Sequence, residues 1–439
     1  MIIESDMDSS IYKRNANINL GEVEISRRII IDVTDYVNHM RKSNTVSGIQ
    51  RVVKSIISQS DIDEDVFFSI FYKGSFYIFN KNSGNSYSQI IENFLIWKRN
   101  FRTITSKRTS IRVRISAIRN AINAKQDNFL SKLIFTNNDN FFIFGSAWDN
   151  FRLLSGLSTM KRKHNFIISA FIHDLIPYYG ENFVSFGAYM NFRRYLYWIN
   201  DNVEQIICNS NYSKIELVKC KIVENADKAQ VVPLAHEFSN DFLTAEYKED
   251  FLISEYLADK HSHWTTSGFV LCVGTIEARK NQHILVKAWT ELAKQRSMPL
   301  LLLVGKVAAN GEATRIISHR EHAPVEILEG ASDATLYQLY ERCLFTVFPS
   351  FYEGWGLPVG ESLWFGKNCI ASNASSIPEV GKEFVTYFDP QSLDELKEKL
   401  VLCLDKKIPE PSVQRNELRV WNQVAIDILN NLKYQGKTE

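Results

Sequence analysis

Two carboxylates, Glu353 and Glu361, stand in the stretch FYEGWGLPVGESLWFG with seven residues between them, among them Gly354, Gly356, Gly360 and Pro358. Glycines let a backbone come close to a ligand and leave its amides free to donate, while carboxylates accept hydrogen bonds from hydroxyls, the groups in which sugars are richest. Pro358 suits the first helical residue and Gly366 the stop, so Glu361 is expected in the first turn of a short helix and Glu353 in the loop before it. An acidic loop followed by a helix cap is the plainer alternative.

Further chemistry lies in VLCVGTIEARKNQHILVKAW, where an apolar strand ends at Val273-Gly274 and Arg279 and Lys280 precede a helix expected from Asn281 onward. Two cations at a helix N-terminus make a site for a diphosphate; a solvated basic pair after a turn is the alternative. In IIIDVTDYVNHMRKSNTVSGIQRVVKSII, Ser47 and Gly48 sit before a helix expected from Ile49, another place where a backbone amide could meet phosphate. The run FIISAFI delivers His173 and Asp174 at its carboxyl end, the usual functional position in an open α/β sheet. A histidine there could bond a hydroxyl, shuttle a proton or serve structure alone.

The elements that must position these residues follow from alternation. Short β-rich runs, RIIIDV, VFFSIF, FFIFG, FIISAFI and EQIIC in the first half, then FVLCVG, LLLLVG, VEILEG, LFTVFPS, NCIAS and FVTYF in the second, alternate with helical patterns. Runs apolar at nearly every residue suit parallel strands covered on both faces. The fold class expected is α/β with two domains, joined by a charged connector over 236–265 that lacks any sheet-like run. Ligands of such sheets bind beyond the carboxyl ends of strands, so the two domains would face one another across a cleft.

Composition agrees with a globular chain: 439 residues, 45% hydrophobic, 23% charged and a formal charge of +1, a balance that gives no whole-molecule attraction to nucleic acid. The polar N-terminus lacks the apolar stretch of a signal peptide, and no apolar run approaches the ~20 residues of a membrane span, so a cytoplasmic location is expected. Six scattered cysteines form no CxxC pair and read as reduced core residues. One segment departs from the rest: residues 98–125 hold nine Lys and Arg and no acid, with Ile111, Ile115, Ile118 and Ile122 at helical spacing. Such a basic amphipathic helix could lie on an anionic membrane surface or pack by its isoleucines on the domain.

Taken together, the Glu353/Glu361 pair, VGTIEARKN, the CNSNYSK run followed by VVPLAHE, and the late RVWNQVAIDIL helix resemble the retaining glycosyltransferases of family 4 over about residues 28–433. That resemblance implies the GT-B architecture, two Rossmann-like domains around a cleft. It places an N-terminal extension at 1–27, an acceptor domain at 28–235 with residues 415–439 packing back on it, and a nucleotide-sugar domain at 266–414. It also implies roles: Glu353 for donor-sugar hydroxyls, with Gly354, Trp355, Gly356 and Leu357 lining sugar and phosphate; Glu361 for the ribose; Arg279 and Lys280, beside Gly274 and Thr275, for the diphosphate; His173 near the reacting carbon; Gly48 near the phosphates; Leu328 near the nucleobase.

Two departures stand out. Thr275 occupies the position after the strand where many relatives carry arginine, a form similar to bacterial polysaccharide mannosyl- and rhamnosyltransferases, and Ser47-Gly48 replaces the frequent Gly-Gly. The resemblance implies transfer of a hexose, with mannose from GDP-mannose favoured, to a saccharide or lipid-linked saccharide in surface polysaccharide synthesis, without metal or other cofactor. A GT-B sugar-nucleotide epimerase and a non-catalytic nucleotide-sugar-binding subunit are the rival readings.

Overall fold

The computed structural model describes residues 27–42, 48–59, 63–81, 85–105, 129–179, 183–223, 226–238, 268–308, 315–316, 318 and 323–433, apart from the side chains of 99–105. Most of the 98–125 segment and all of the 236–265 connector beyond Phe238 lie outside the described residues, as does Ser47.

Two sheets organise the chain. The first contains β1 (Arg28–Asp32), β2 (Val66–Tyr72), β3 (Ser75–Phe79), β4 (Leu130–Lys132), β5 (Asp139–Ile143), β6 (Ile167–Ile172), β7 (Gln205–Cys208) and β8 (Ala229–Val231), in the order β4-β3-β2-β1-β5-β6-β7-β8. The second contains β9 (Phe269–Val273), β10 (Leu300–Val304), β11 (Val325–Leu328), β12 (Thr346–Phe348), β13 (Cys369–Ser372) and β14 (Thr386–Phe388), in the order β11-β10-β9-β12-β13-β14. Every pairing in the second sheet is parallel. Its strands read as continuous apolar runs because helices cover both faces; β10, LLLLV, is buried at every residue.

Parallel pairing extends through the first sheet only from β2 to β8; β3 is antiparallel to both β2 and β4. The expectation of parallel strands throughout is corrected there. A two-residue turn at Lys73-Gly74, with φ of 49° and 81°, folds β3 back on β2, and such left-handed pairs match the twist of a hairpin. SFYIF and LSK gave too short and too irregular a pattern to be read as strands.

The second sheet has the doubly wound strand order in which the third, second and first strands lie to one side and the fourth, fifth and sixth to the other. The order reverses between β9 and β12, so their following loops diverge and leave a crevice at their carboxyl ends. Arg279 and Lys280 follow β9, and Glu353 follows β12.

The helix Trp421–Lys433 returns to the first domain. The Asn140 amide donates to Leu432 O at 3.0 Å, Gln205 donates to Asn431 O at 2.8 Å, and Lys433 pairs with Asp63. Its buried face, Trp421, Val424, Ala425, Ile428, Leu429 and Leu432, has helical spacing and joins an apolar cluster that reaches Trp355, Val359 and Ile377 of the second domain. Burial of this continuous apolar surface ties the two sheets together more strongly than the ion pairs on their rims.

Candidate active site

Arg279 and Lys280 stand in a single 3₁₀ turn, Ala278–Lys280, and the helix begins at Gln282 rather than Asn281. Asn281 itself is left-handed, with φ 55°, and its buried side-chain amide donates to Pro349 O and Pro390 O. It thereby pins the turn against the β12 loop. The Arg279 guanidinium reaches Tyr352 O at 2.6 Å, Glu277 at 2.6 Å and Glu353 at 3.0 Å, while Lys280 Nζ lies 2.6 Å from the other Glu353 oxygen.

Glu353 is thus held from two sides by cations. Its backbone is equally fixed: its N–H donates to Ser375 Oγ at 2.8 Å, and the Ser376 hydroxyl donates to its carbonyl at 2.9 Å. Burial works against ionisation of this carboxyl, yet Arg279 and then Lys280 outweigh it and hold the pKa at about 2. Burial pulls the Lys280 ammonium down, with Glu353 opposing, whereas Arg279 is raised because the surrounding carboxylates outweigh its burial.

The glycines have distinct tasks. Gly274 and Gly305 end β9 and β10 and lie so close that a Cβ on Gly305 would fall 2.1 Å from Gly274 O. Beyond them the strands re-pair at Ile276 and Val307, and Thr275 contributes its carbonyl to Gln282 at 2.8 Å. A Cβ on Gly354 would fall 1.9 Å from His173 O, in the other domain. Gly354 therefore allows the Glu353 loop to seat on the end of β6. Gly356, with φ 107°, turns the chain into the helix Leu357–Trp364.

His173 donates through Nε2 to Phe144 O at 2.8 Å, which leaves Nδ1 as an acceptor in the neutral ring. Burial lowers its pKa to about 4, so the imidazole is neutral near pH 7, and a hydroxyl acceptor fits this environment better than a proton shuttle. Asp174 beside it faces Arg279 and Glu353; burial raises its pKa, partly offset by Arg279.

Glu361 is not in the first turn of its helix. The helix starts at Leu357, which puts Glu361 one turn further in, buried, with Tyr340 donating to one oxygen at 2.8 Å and Arg51 reaching the other at 2.6 Å. Glu353 and Glu361 therefore do not form a pair. Leu357 and Glu361 line a small cavity with Arg51, Phe238 and Asp333. Leu328 ends β11, its carbonyl accepting from Gly305 N at 3.0 Å, and Trp355 is buried in the interdomain apolar cluster. Gly48 opens the helix Gly48–Ser58 in open space, on the same helix as Arg51.

Sequence reasoning missed Arg51, Tyr340 and Glu379. The Glu379 carboxylate crosses between domains to accept from Asn211 N and Tyr212 N, both at 2.7 Å, at the start of the helix Asn211–Lys219. The one local signal for Arg51 is its spacing with Lys54, a basic pair one turn apart on the helix after Gly48.

Residues 255–419, which contain the Arg279–Lys280–Glu353 cluster, match the family described as glycosyl transferases group 1. The second domain carries the group 1 glycosyl transferase signature. Among curated proteins, the O-antigen chain mannosyltransferase B of Escherichia coli is 26% identical over 207 residues, 46% of this chain and 52% of that one. The serotype-specific mannosyltransferase WbdA of Escherichia coli is 26% identical over 232 residues, 51% of this chain and 28% of that one. An MMP alpha-(1->4)-mannosyltransferase of Mycolicibacterium hassiacum is 32% identical over 125 residues, 28% of this chain and 30% of that one. The chain spans about half the length of these curated relatives, or less.

The fold has wider likeness. Anabaena Alr3699/HepE, solved in complex with UDP-glucose, aligns with a TM-score of 0.54 at 14% identity, covering 93% of this chain and 95% of that one. Sucrose-phosphate synthase of Thermosynechococcus elongatus aligns at 0.51 and 13% identity, covering 92% and 94%. The architecture is GT-B, two Rossmann-like domains, as the group 1 signature implies.

Proposed function

We propose that this chain is a retaining, metal-independent glycosyltransferase that moves a hexose, mannose from GDP-mannose being favoured, to a saccharide or lipid-linked saccharide. The observation that carries the reading is the Arg279–Lys280–Glu353 cluster at the point of strand-order reversal, within the segment that matches group 1 glycosyl transferases. The mannosyltransferases among the relatives support the choice of sugar.

In this reading Glu353 accepts from donor-sugar hydroxyls, and Glu361 accepts from the ribose. As the bond from the anomeric carbon to the diphosphate oxygen breaks, charge grows on the leaving phosphate, and Arg279 and Lys280 offset it, an effect worth ~3 kcal/mol per well-placed donor. The acceptor oxygen bonds the same face of the carbon, and its proton passes to the departing phosphate. The two cations supply the charge that a divalent metal supplies elsewhere. Neutral His173, with Nδ1 as acceptor, would take a hydroxyl of the sugar near the reacting carbon.

A surface role, with the protein on the inner face of the membrane, is proposed on the basic 98–125 segment. Its one described side chain, Lys98, packs 3.4 Å over the Tyr72 ring. No helix among the described residues is long and apolar enough to cross a membrane.

The test is incubation of the protein with GDP-mannose, UDP-glucose and a dTDP-sugar, with and without saccharide acceptor and with EDTA. Acceptor-dependent release of nucleoside diphosphate that survives EDTA, with an α-linked product by NMR, is expected from GDP-mannose. Epimerised donor without acceptor, or no turnover at all, would overturn the reading.

A further inference from the structure

Glu361 is the acid that the proposed function gives to the ribose, yet its side chain is only 3% exposed. Both of its oxygens already have protein partners: Tyr340 Oη at 2.8 Å and Arg51 at 2.6 Å. The cavity beside it, lined by Arg51, Lys54, Phe238, Asp333, Leu357 and Glu361 among others, holds about 20 Å³. That is room for about one water molecule, and a ribose is several times larger. Each carboxylate oxygen retains a second lone pair, but at 3% exposure a hydroxyl pair reaches them only if one of the described groups covering the carboxylate moves.

The covering groups differ in how easily they can yield. Tyr340 is fully buried and Phe238 is 1% exposed, each within a cluster of aromatic rings that includes Phe365. Arg51 belongs to the other domain, on the helix Gly48–Ser58, and its side chain is 19% exposed at the seam. Its guanidinium lies 5.1 Å from the centre of the Phe238 ring, and one turn along the same helix Lys54 approaches Asp333 at 3.5 Å. Withdrawing one flexible arginine disturbs no core, whereas withdrawing Tyr340 or Phe238 would open one.

We propose that Arg51 is a displaceable cover: in the ligand-free chain it caps the Glu361 carboxylate from across the cleft, and an incoming nucleotide must displace it before its ribose hydroxyls can bond there. The inference rests on the reading of Glu361 as the ribose acid. Arg51 thus links donor binding to the contact between domains, because the same carboxylate serves the interdomain ion pair and the ribose in turn.

The experiment measures binding of GDP and, in parallel, UDP by calorimetry to wild type, R51A, R51K, E361A and R51A/E361A. Removing the cover raises the fraction of chain competent to bind, so R51A is expected to bind about three- to tenfold tighter, with R51K between it and wild type. E361A is expected to bind more weakly than wild type, and R51A should bring no gain in the E361A background. If E361A weakens binding while R51A binds no tighter than wild type, Arg51 is a nucleotide contact or a structural pair and the cover is overturned, although the ribose reading stands. A gain from R51A that persists in E361A overturns it as well. If E361A binds as wild type does, or if wild type binds neither nucleotide, the ribose reading itself fails and takes the cover with it. R51K keeps the charge and the helix surface, so it retains the test should R51A lose its fold.

Discussion

The two acids of one short stretch are held in opposite ways. Glu353 is gripped by Arg279 and Lys280 of its own domain, on a turn pinned by Asn281, so that both of these ion pairs lie within one domain. Glu361 owes one of its two contacts to Arg51 of the other domain. The end of the site assigned to charge development is therefore held by cations of its own domain, as suits electrostatic preorganisation, while the end assigned to the nucleoside takes an ion pair from the other domain. A site arranged in this way could fix its chemistry rigidly and still let its substrate report on closure.

Breaking the rigid end should have the largest effect. Arg279→Ala removes a guanidinium that touches Glu353, Glu277 and Tyr352 O at once, and is expected to lower kcat by about 10²–10³-fold in steady-state assays with the donor. Near-normal turnover would move the charge-stabilising role away from this turn.

Two glycines sharpen the contrast within and between domains. At Gly305 an added Cβ meets Gly274 O at 2.1 Å inside the second domain, and at Gly354 it meets His173 O at 1.9 Å across the cleft. Gly305→Ala should therefore cost the second domain about 1–3 kcal/mol and lower its thermal midpoint. Gly354→Ala should lower that midpoint less, because the clash is relieved at the seam by lifting the Glu353 loop off β6, and should instead lower kcat about 10²-fold through misplaced groups. The pair is measured by thermal unfolding and turnover side by side; equal loss of stability in both would show that the Gly354 seam yields no more easily than the interior of the second domain.

This division also explains what could be read from the chain. Strand runs such as LLLLVG and FVLCVG were legible because burial on both faces leaves an unbroken apolar signature. Arg279, Lys280 and Glu353 were legible as candidates because each follows a strand closely, so local sequence places them at the crevice. Arg51 and Tyr340 were not, since their meeting with Glu361 depends on contacts 310 and 21 residues apart in sequence (361 − 51 and 361 − 340), and no local pattern encodes that. Glu361 lies one residue deeper in its helix than Pro358 implies, because Leu357 is already helical after the left-handed Gly356; its burial against Tyr340 is a tertiary fact that no local pattern shows.

The smallest expected effect concerns His173, where the two domains touch. Its folded pKa of about 4 lies below the ordinary 6.5, so as pH falls through that interval the unfolded chain takes up a proton that the folded chain refuses. Its contribution is present above 6.5 and is lost progressively on acidification. Asp32, also buried, has the opposite sign: its pKa is raised from 3.8 to about 7 by burial, so the folded chain binds the extra proton between those values and gains stability as pH falls. The raw stability profile mixes the two. The difference between wild type and His173→Gln cancels Asp32 and should show the variant losing less stability than wild type between pH 6.5 and 4, by denaturant titration at each pH. Parallel profiles would mean that the imidazole takes up its proton in the folded chain as readily as in the unfolded one, and a role for His173 as a neutral hydroxyl acceptor beside Glu353 would lose its physical basis.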